Sequence, residues 1–125
     1  MIFMASGAED FRLTTGGGSA ISAVLNPVGN TTTPLLANIQ FLSASFQTAG
    51  NAIIKVICDT DQVGTIAVQQ SPDNVNFRDT RTLTLQPNEL NAFEVDVVSP
   101  YARINLINGG TNQTILRLYW YTSTL

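Results

Sequence analysis

The stretch Val63 to Phe77, VGTIAVQQSPDNVNF, carries the clearest structural signal in the chain. From Thr65 to Gln70 apolar and polar residues alternate, which is the period of a β-strand with one buried face. The next residues, Ser71 to Asn74, form a turn signal, because proline fixes φ and the Asp and Asn side chains cap turns. Phe77 then starts a second alternating segment. The stretch predicts a hairpin at the centre of an all-β domain.

Similar alternating segments lie on both sides of this hairpin, separated by turn signals about every ten residues. They cover 40–47, 52–58, 78–85, 93–97, 102–106 and 115–121. No segment shows a clean helical period. The pattern predicts an antiparallel β-sandwich of about seven or eight strands, either jelly-roll-like or immunoglobulin-like. A closed barrel is the lesser option.

The N-terminal residues have a different composition, which predicts an extended arm over 1–35 and a β-sandwich domain over 36–125. Residues 1–35 are rich in Gly, Ser, Thr and Asn, and short apolar patches that include Ile21 and Leu25 interrupt them. These patches need a cover, supplied by the chain's own domain or by a neighbouring subunit, for example through strand addition to a sheet edge. A strand from the arm would be the eighth and would favour a jelly roll.

The composition argues against several classes of function. The chain has 125 residues, no histidine, one cysteine and a net charge of −3, with 12% charged residues. Histidine-based catalysis and Cys/His zinc sites are therefore unavailable, and a basic surface for nucleic acid is missing. No apolar run approaches the ~20 residues of a membrane helix, and no signal peptide is evident. We expect a non-enzymatic protein without cofactor or metal, made in a reducing compartment, with Cys58 buried in the core.

Two acidic turns were considered as binding sites and are predicted to be structural. The run Asp59 to Gly64 starts like a calcium loop, but Val63 occupies a ligand position and Gln70 replaces the final Glu. Asp73 follows a proline, where it ordinarily caps its own turn. Both are therefore expected to end strands rather than hold a cation or a sugar.

Four aromatic residues are predicted on exposed strand faces, namely Phe41, Tyr101, Tyr119 and Tyr121. Leu42, Ala44 and Phe46 form the predicted apolar face of their strand, which leaves Phe41 on the opposite face. An exposed aromatic strip can stack on sugars, lie in an oligomer interface or be covered by the arm, and the sequence leaves all three open. The predicted interface residues are Ile21, Leu25, Leu35, Leu36, Phe41, Tyr101, Tyr119 and Tyr121.

Two segments resemble a motif of small β-sandwich proteins from tailed bacteriophages. Residues 59–77 are similar to D-x-x-G-T-L-x-V-x-x-S-x-D-G-x-N-W, and residues 101–110 to a following "yvRv.y.N.g" segment. The chain departs from the motif at Asn74-Val75, where Gly is usual after the Asp, and at Phe77, where Trp is common. The resemblance extends over roughly residues 40–122.

The resemblance implies a structural virion protein: a head decoration or cement protein, a head fibre or a tail module. A capsid decoration protein is the leading expectation, as a homo-oligomer, with a trimer favoured, that binds the major capsid protein or another virion protein. It would be made in the host cytoplasm and reside in the virion, without a nucleic-acid or membrane partner. The alternative is a carbohydrate-binding host-adhesion module of a fibre or tail, with a glycan bound by Tyr119, Tyr121 and the Asp73–Asn76 turn.

Overall fold

The computed structural model describes residues 24–124, and all regular structure in this range is β-strand. The strands are Leu25–Thr31 (β1), Gln40–Leu42 (β2), Phe46–Gln47 (β3), Ile53–Thr60 (β4), Gly64–Ser71 (β5), Arg78–Leu85 (β6), Glu89–Asp96 (β7), Tyr101–Asn108 (β8) and Leu116–Ser123 (β9). Within residues 24–124 there is no helix long and apolar enough to cross a membrane.

The strands form two antiparallel sheets, which confirms the predicted β-sandwich. Sheet 1 has the order β1-β9-β4-β7. Sheet 2 has the order β2-β8-β5-β6, and β3 pairs with β8 beyond the end of β2. The described strands number nine rather than seven or eight, because the segment 40–47 is split into β2 and β3 and the predicted arm contributes β1.

The strand pairing is nested, which identifies the sandwich as a jelly roll rather than an immunoglobulin-like fold. β5 pairs with β6, β4 with β7, β2 and β3 with β8, and β1 with β9. Such nesting arises when one long antiparallel hairpin rolls up into two sheets. The hairpin in the stretch 63–77 is the innermost pair. Its second strand begins at Arg78, so Phe77 belongs to the loop and not to the strand.

The core lies between the two sheets and is built from alternate residues of the central strands. On β4 the inward residues Ile54, Val56 and Cys58 are buried, while Ile53 and Ile57 on the outer face are half-buried. This two-sided burial agrees with the central position of β4. Burial raises the pKa of the Cys58 thiol to about 12, so this cysteine behaves as a small apolar residue.

Phe41 corrects one prediction about which face is buried. Its side chain is half-buried against the core, with its ring centroid 6.0 Å from that of Trp120, whereas Leu42 is exposed. Ser43 faces inward next, and its Oγ accepts a hydrogen bond from the Ile104 amide at 2.8 Å. The chain then leaves the strand pattern until Phe46, which reverses the predicted alternation for the first half of the segment.

The predicted arm is partly a strand of the sandwich itself. β1 pairs with β9 over its full length, with an irregularity between Pro27 and Gly29. The sandwich therefore begins no later than Leu25 rather than at residue 36. The remainder of the predicted arm, residues 1–23, lies outside the described residues, so its extended form stays a prediction.

Candidate interaction surface

The outer face of sheet 1 brings three predicted interface residues together. Tyr119 and Tyr121 point outward from β9, where they stand opposite Ile57 and Lys55 of β4. On the other side of β9, Pro27 stands opposite Tyr121. Leu25, at the start of β1, lines a groove together with Tyr121. These residues form a largely apolar surface, which we call the tyrosine face.

Two ion pairs lie across the strands at the tyrosine face. Lys55 Nζ lies 3.5 Å from Glu94 Oε2, and Arg117 Nη1 lies 2.9 Å from Asp59 Oδ2. Both pairs are cross-strand neighbours in the sheet register. Exposed pairs of this kind add little stability. Because each pair is neutral overall, covering it with a partner costs less desolvation free energy than covering separate charges would.

Two open grooves border the two tyrosines. The groove beside Tyr121 has a volume of about 330 Å³ and a mainly apolar lining that includes Leu25, Ile57 and Phe93. The groove beside Tyr119 has a volume of about 280 Å³ and a more polar lining that includes Pro34 and Arg117. Aromatic residues that border concave surface are typical anchors of binding interfaces.

β1 is attached to β9 through its backbone and through one close contact at Gly29. A Cβ atom placed on Gly29 would lie 2.5 Å from Cζ2 of Trp120, so the glycine backbone packs directly on the indole. Trp120 is only 5% exposed. The side chains of β1 contribute little, because Leu25, Asn26, Pro27, Val28 and Asn30 are exposed. A side chain at Gly29 would therefore force β1 or the Trp120 ring to shift.

The residues after β1 are held by a network of amide side chains. Asn108 Nδ2 donates to the carbonyl oxygens of Leu35 at 3.1 Å, Leu36 at 3.0 Å and Thr111 at 2.8 Å. Gln113 exchanges two further bonds with the Leu35 backbone, both at 2.9 Å. Ala37 N donates to Asn112 Oδ1 at 2.8 Å. We call residues 35–39 the locked segment.

The other predicted interface residues are dispersed. Leu35 packs against the core, whereas Leu36, its neighbour in the locked segment, is 64% exposed. Phe41 packs against the core as described above, and Tyr101 is half-buried on sheet 2, opposite Ser71. Ile21 lies outside the described residues. The structure thus groups Leu25, Tyr119 and Tyr121 and separates them from the rest.

The outer face of sheet 2 is more polar and is crossed by its own side-chain network. Arg103 Nε donates to Gln69 Oε1 at 2.7 Å, and Gln69 Nε2 donates to Asp79 Oδ1 at 2.8 Å. The Arg103 guanidinium also lies 4.0 Å from the centre of the Phe77 ring, a cation–π contact. These groups satisfy one another, so this face offers fewer free anchors than the tyrosine face.

Asp61 uses its carboxylate to hold a neighbouring loop. It accepts hydrogen bonds from Thr114 Oγ1 at 2.6 Å, the Thr114 amide at 3.0 Å and the Ile115 amide at 3.1 Å. Led by the Thr114 hydroxyl bond, these bonds lower the Asp61 pKa to about 2. Within residues 24–124 no group of three or more His, Cys, Asp or Glu side chains could hold a metal ion.

Asp73 caps its own turn. Its Oδ1 accepts bonds from the amides of Asn76 at 2.8 Å and Val75 at 2.9 Å, while Asn76 Nδ2 and Ser71 Oγ donate to the carboxylate as well. These bonds, led by the Asn76 amide, hold the Asp73 pKa well below its usual range. Asn74 adopts φ 61°, the left-handed conformation for which Gly is usual. The turn belongs to sheet 2, whereas Tyr119 and Tyr121 belong to sheet 1.

Sequence reasoning missed the buried polar residues that join the sheets and loops. Gln70 is buried, its Nε2 donates to Thr80 Oγ1 and to the Asp96 carbonyl, and its Oε1 accepts from the amides of Val98 and Ser99. A signal was present, because Gln70 continues the inward alternation of Ile66 and Val68. Asn108 continues the inward series of β8 in the same way.

Comparison with known proteins identifies a family. The family model described as "Uncharacterised protein YqxG N-terminal domain" matches residues 18–123. No curated protein matches the chain significantly.

Two solved structures share the fold. The first is titled "Crystal structure of PBSX exported protein XepA" and has a TM-score of 0.70 and 21% identity, covering 93% of this chain and 41% of that one. This chain therefore spans less than half the length of that protein. The second is titled "Bacillus endospore appendages form a novel family of disulfide-linked pili", with a TM-score of 0.57 and 12% identity over 91% of this chain and 98% of that one. At these identities the likeness establishes the fold alone.

Proposed function

The chain belongs to the YqxG N-terminal domain family, and we propose that it is a non-enzymatic structural protein of a phage or phage-derived particle. It binds its partner through the tyrosine face. The observation that carries this proposal is the grouping of Leu25, Tyr119 and Tyr121 on one largely apolar surface, where Lys55 pairs with Glu94 and Arg117 with Asp59. Aromatic anchors at the centre of a surface with few free charges are characteristic of protein interfaces.

Two further observations support this class of function. The segments 59–77 and 101–110 resemble virion β-sandwich proteins of tailed phages, and the jelly roll is a fold of viral structural proteins. The titles of the two similar solved structures name an exported protein and pili, which are both outside the cytoplasm. Within this class we propose a capsid decoration protein that binds the major capsid protein as a homo-oligomer. A trimer is favoured.

The test locates the protein on particles and then removes the tyrosine face. Particles are assembled with an epitope-tagged copy of the full chain and are labelled with gold-conjugated antibody for electron microscopy. Label over the head is the expected result. Label over the tail would overturn the decoration role in favour of a tail module, and unlabelled particles would contradict the structural proposal altogether.

The matched variants are Tyr119→Ala/Tyr121→Ala on the tyrosine face and Thr82→Ala/Thr84→Ala on the outer face of sheet 2. Purified proteins are added to particles that lack the chain, and the bound fraction is measured by co-sedimentation. The tyrosine variant should bind at least about thirtyfold more weakly, because one anchoring tyrosine contributes about 2 kcal/mol. The threonine variant should bind normally. Equal binding by both variants would rule out the tyrosine face as the attachment surface.

A second candidate, a carbohydrate-binding adhesion module, draws on the same two tyrosines, since each borders an open groove. Sugars stack on exposed aromatic rings. Because the Asp73–Asn76 turn lies on the other sheet and its carboxylate is occupied, glycan binding would depend on the tyrosines alone. Binding of the isolated protein to a glycan array, lost in Tyr119→Ala/Tyr121→Ala, would favour this candidate over the decoration role.

A further inference from the structure

β1 is bound to its own domain less firmly than a core strand. Five of its seven residues are exposed, and none belongs to the hydrophobic core cluster. Among the described strands β9 is its one neighbour, at the edge of sheet 1, and Val28 falls at a break in the register. Pro27 also lacks an amide donor. Pairing with β9 and the Gly29 contact with Trp120 are therefore the principal attachments of β1.

The chain becomes fixed only after β1 ends. From Leu35 onward the locked segment is held by Asn108, Gln113 and Asn112. Between Thr31 and Leu35 the hydrogen bonding is sparse: the Thr33 amide makes one long local bond, 3.4 Å, to Thr31 Oγ1. Residues 32–34 thus connect a weakly held strand to a firmly held segment, which is the arrangement of a hinge.

The seam on β9 that receives β1 is nevertheless specific. The indole of Trp120 leaves no space for a side chain at the position of Gly29. Loss of β1 would uncover Trp120 beside Tyr119 and Tyr121, which makes an apolar edge that favours a new strand partner. A strand that replaces β1 must place a glycine at this position, and a second copy of the chain provides one in the same sequence context.

We propose that β1 is exchanged between copies of this chain, so that residues 25–31 leave their own sheet and pair with β9 of a neighbouring copy. The exchanged strand makes the same backbone bonds and the same Gly29–Trp120 contact that it makes within one chain. Exchange of an identical element is a low-cost route to oligomers, since only the hinge conformation and the association entropy differ. A three-residue hinge spans at most about 10 Å, so the two β9 seams lie close together.

This inference rests on the proposed function in one respect, since a particle brings many copies of the chain close together and so favours exchange. Its test needs no particle. Asn30 and Tyr119 stand opposite each other across the seam and both are exposed. Cysteines at directly opposed positions of neighbouring strands can form a disulfide. Full-length chains that carry Asn30→Cys or Tyr119→Cys are co-expressed with different tags, oxidised, and separated on a non-reducing gel. Cys58 is buried and its pKa is raised to about 12, so it does not compete.

Strand exchange predicts a mixed disulfide between the two tagged chains. The control pair, Asn30→Cys with Thr82→Cys on the other sheet, measures random collision. The exchanged pair should exceed this control by roughly a hundredfold, because a docked strand holds the thiols at millimolar effective concentration. A mixed product no more abundant than the control would overturn the inference.

The double variant Asn30→Cys/Tyr119→Cys gives an independent outcome on a single chain. Exchange yields covalent dimers if it is reciprocal and covalent trimers if it is cyclic, and either product supports the inference. An internally cross-linked monomer as the sole product contradicts it. Adding Gly29→Ala should reduce the covalent oligomers, whereas adding Gly110→Ala, which meets no atom within 4 Å, should leave them unchanged. These outcomes do not depend on whether the protein binds a particle.

Discussion

β1 and the locked segment are close neighbours in sequence but are held by different forces. β1 offers an edge strand with exposed side chains and a single close contact at Gly29. The locked segment forms no long strand, yet its carbonyl oxygens accept hydrogen bonds from the buried side chain of Asn108 at the end of β8. Regular secondary structure is therefore a poor guide to local stability here. Buried polar bonds fix the irregular segment more firmly than strand pairing fixes β1.

The two parts of the N-terminal region are therefore suited to different roles. A weakly held strand at a specific seam is suited to exchange or release, whereas a fixed segment anchors the chain so that exchange leaves the jelly roll intact. Leu35 packs against the core at this anchor, and Leu25 lines the tyrosine face beyond the hinge. Variants that act on one region and not on the other test this division.

The largest effect is expected from Asn108→Ala. Its Nδ2 donates to three carbonyl oxygens, so its loss removes the side-chain hydrogen bonds that tie Leu35 and Leu36 of the locked segment, and Thr111, to the end of β8. The free energy of unfolding should fall by about 3 kcal/mol. The control is Asn26→Ala, an exposed change in β1 that should alter stability by less than about 0.5 kcal/mol. Urea unfolding measures both, and equal losses would contradict the comparison.

Gly29→Ala should have a smaller effect that is confined to β1. A Cβ at this position would overlap the Trp120 ring, and overpacking of this kind costs about 1–2 kcal/mol. At an unconstrained strand position the same change would instead stabilise by about 0.5–1 kcal/mol, so the sign is diagnostic. Trp120 fluorescence should shift to the red in Gly29→Ala and stay unchanged in Gly110→Ala. A stabilised Gly29→Ala variant would show that the strand does not pack on the indole.

Asp61→Asn should change the pH dependence of stability. The folded-state pKa of Asp61, about 2, is below its ordinary value of 3.8, so the ionised carboxylate stabilises the fold above the ordinary pKa. This contribution is lost as the pH falls from about 4 towards about 2. Wild type should therefore be more stable than the variant at about pH 6, and the gap should close at about pH 2. A constant gap would mean that the hydrogen bonds to Thr114 and Ile115 do not depend on the charge.

The comparison variant for this experiment is Asp73→Asn. The pKa of Asp73 is also lowered, but by bonds within its own turn. The stability lost in Asp73→Asn should therefore also be larger at about pH 6 than at low pH. Hydrogen exchange distinguishes the two: Asp61→Asn should loosen the amides of Thr114 and Ile115, next to the loop that holds the locked segment, whereas Asp73→Asn should loosen those of Val75 and Asn76.

The smallest expected effect is on Cys58. This thiol lies on β4, inward and between β9 and β7, so detachment of β1 should leave it covered. Its rate of reaction with an aromatic disulfide reagent should be as slow in Gly29→Ala as in wild type. A faster reaction in the variant would show that loss of β1 opens the core, and would break the division between the weakly held strand and the jelly roll.

Much of the fold could be predicted from the sequence, because alternation with period two identifies strands and their inward faces. The two-sided burial of β4 follows from Ile53 and Ile57, and the predicted hairpin 63–77 from its proline turn. The alternation predicted the wrong buried face at Phe41. The chain leaves the strand pattern after Ser43, whereas the prediction kept one register through the whole segment 40–47. The choice between jelly roll and immunoglobulin-like order needed β1, whose short polar and apolar residues carry no strong strand period.

The candidate surface was less predictable, because it depends on which strands become neighbours. Tyr119 and Tyr121 were identified from their own strand, but Pro27 and Ile57 join them only through the order of sheet 1. The contact of Gly29 with Trp120 joins residues that are distant in sequence, and a single glycine near a proline gives no sign of it. Asn108 precedes two glycines, which is a turn signal, whereas its register on β8 places its amide inward.

Hydrogen exchange of the full chain tests the central claim most directly. Asn38 belongs to the locked segment, and its amide donates to the Gly109 carbonyl at 2.8 Å. This amide should be protected from exchange nearly as long as the core amides. The amides of β1 that face β9 should exchange faster by at least about a hundredfold, since local opening detaches the strand without unfolding the jelly roll. Equal protection of β1 and Asn38 would contradict the account, because it would place the strand within the same cooperative unit as the core.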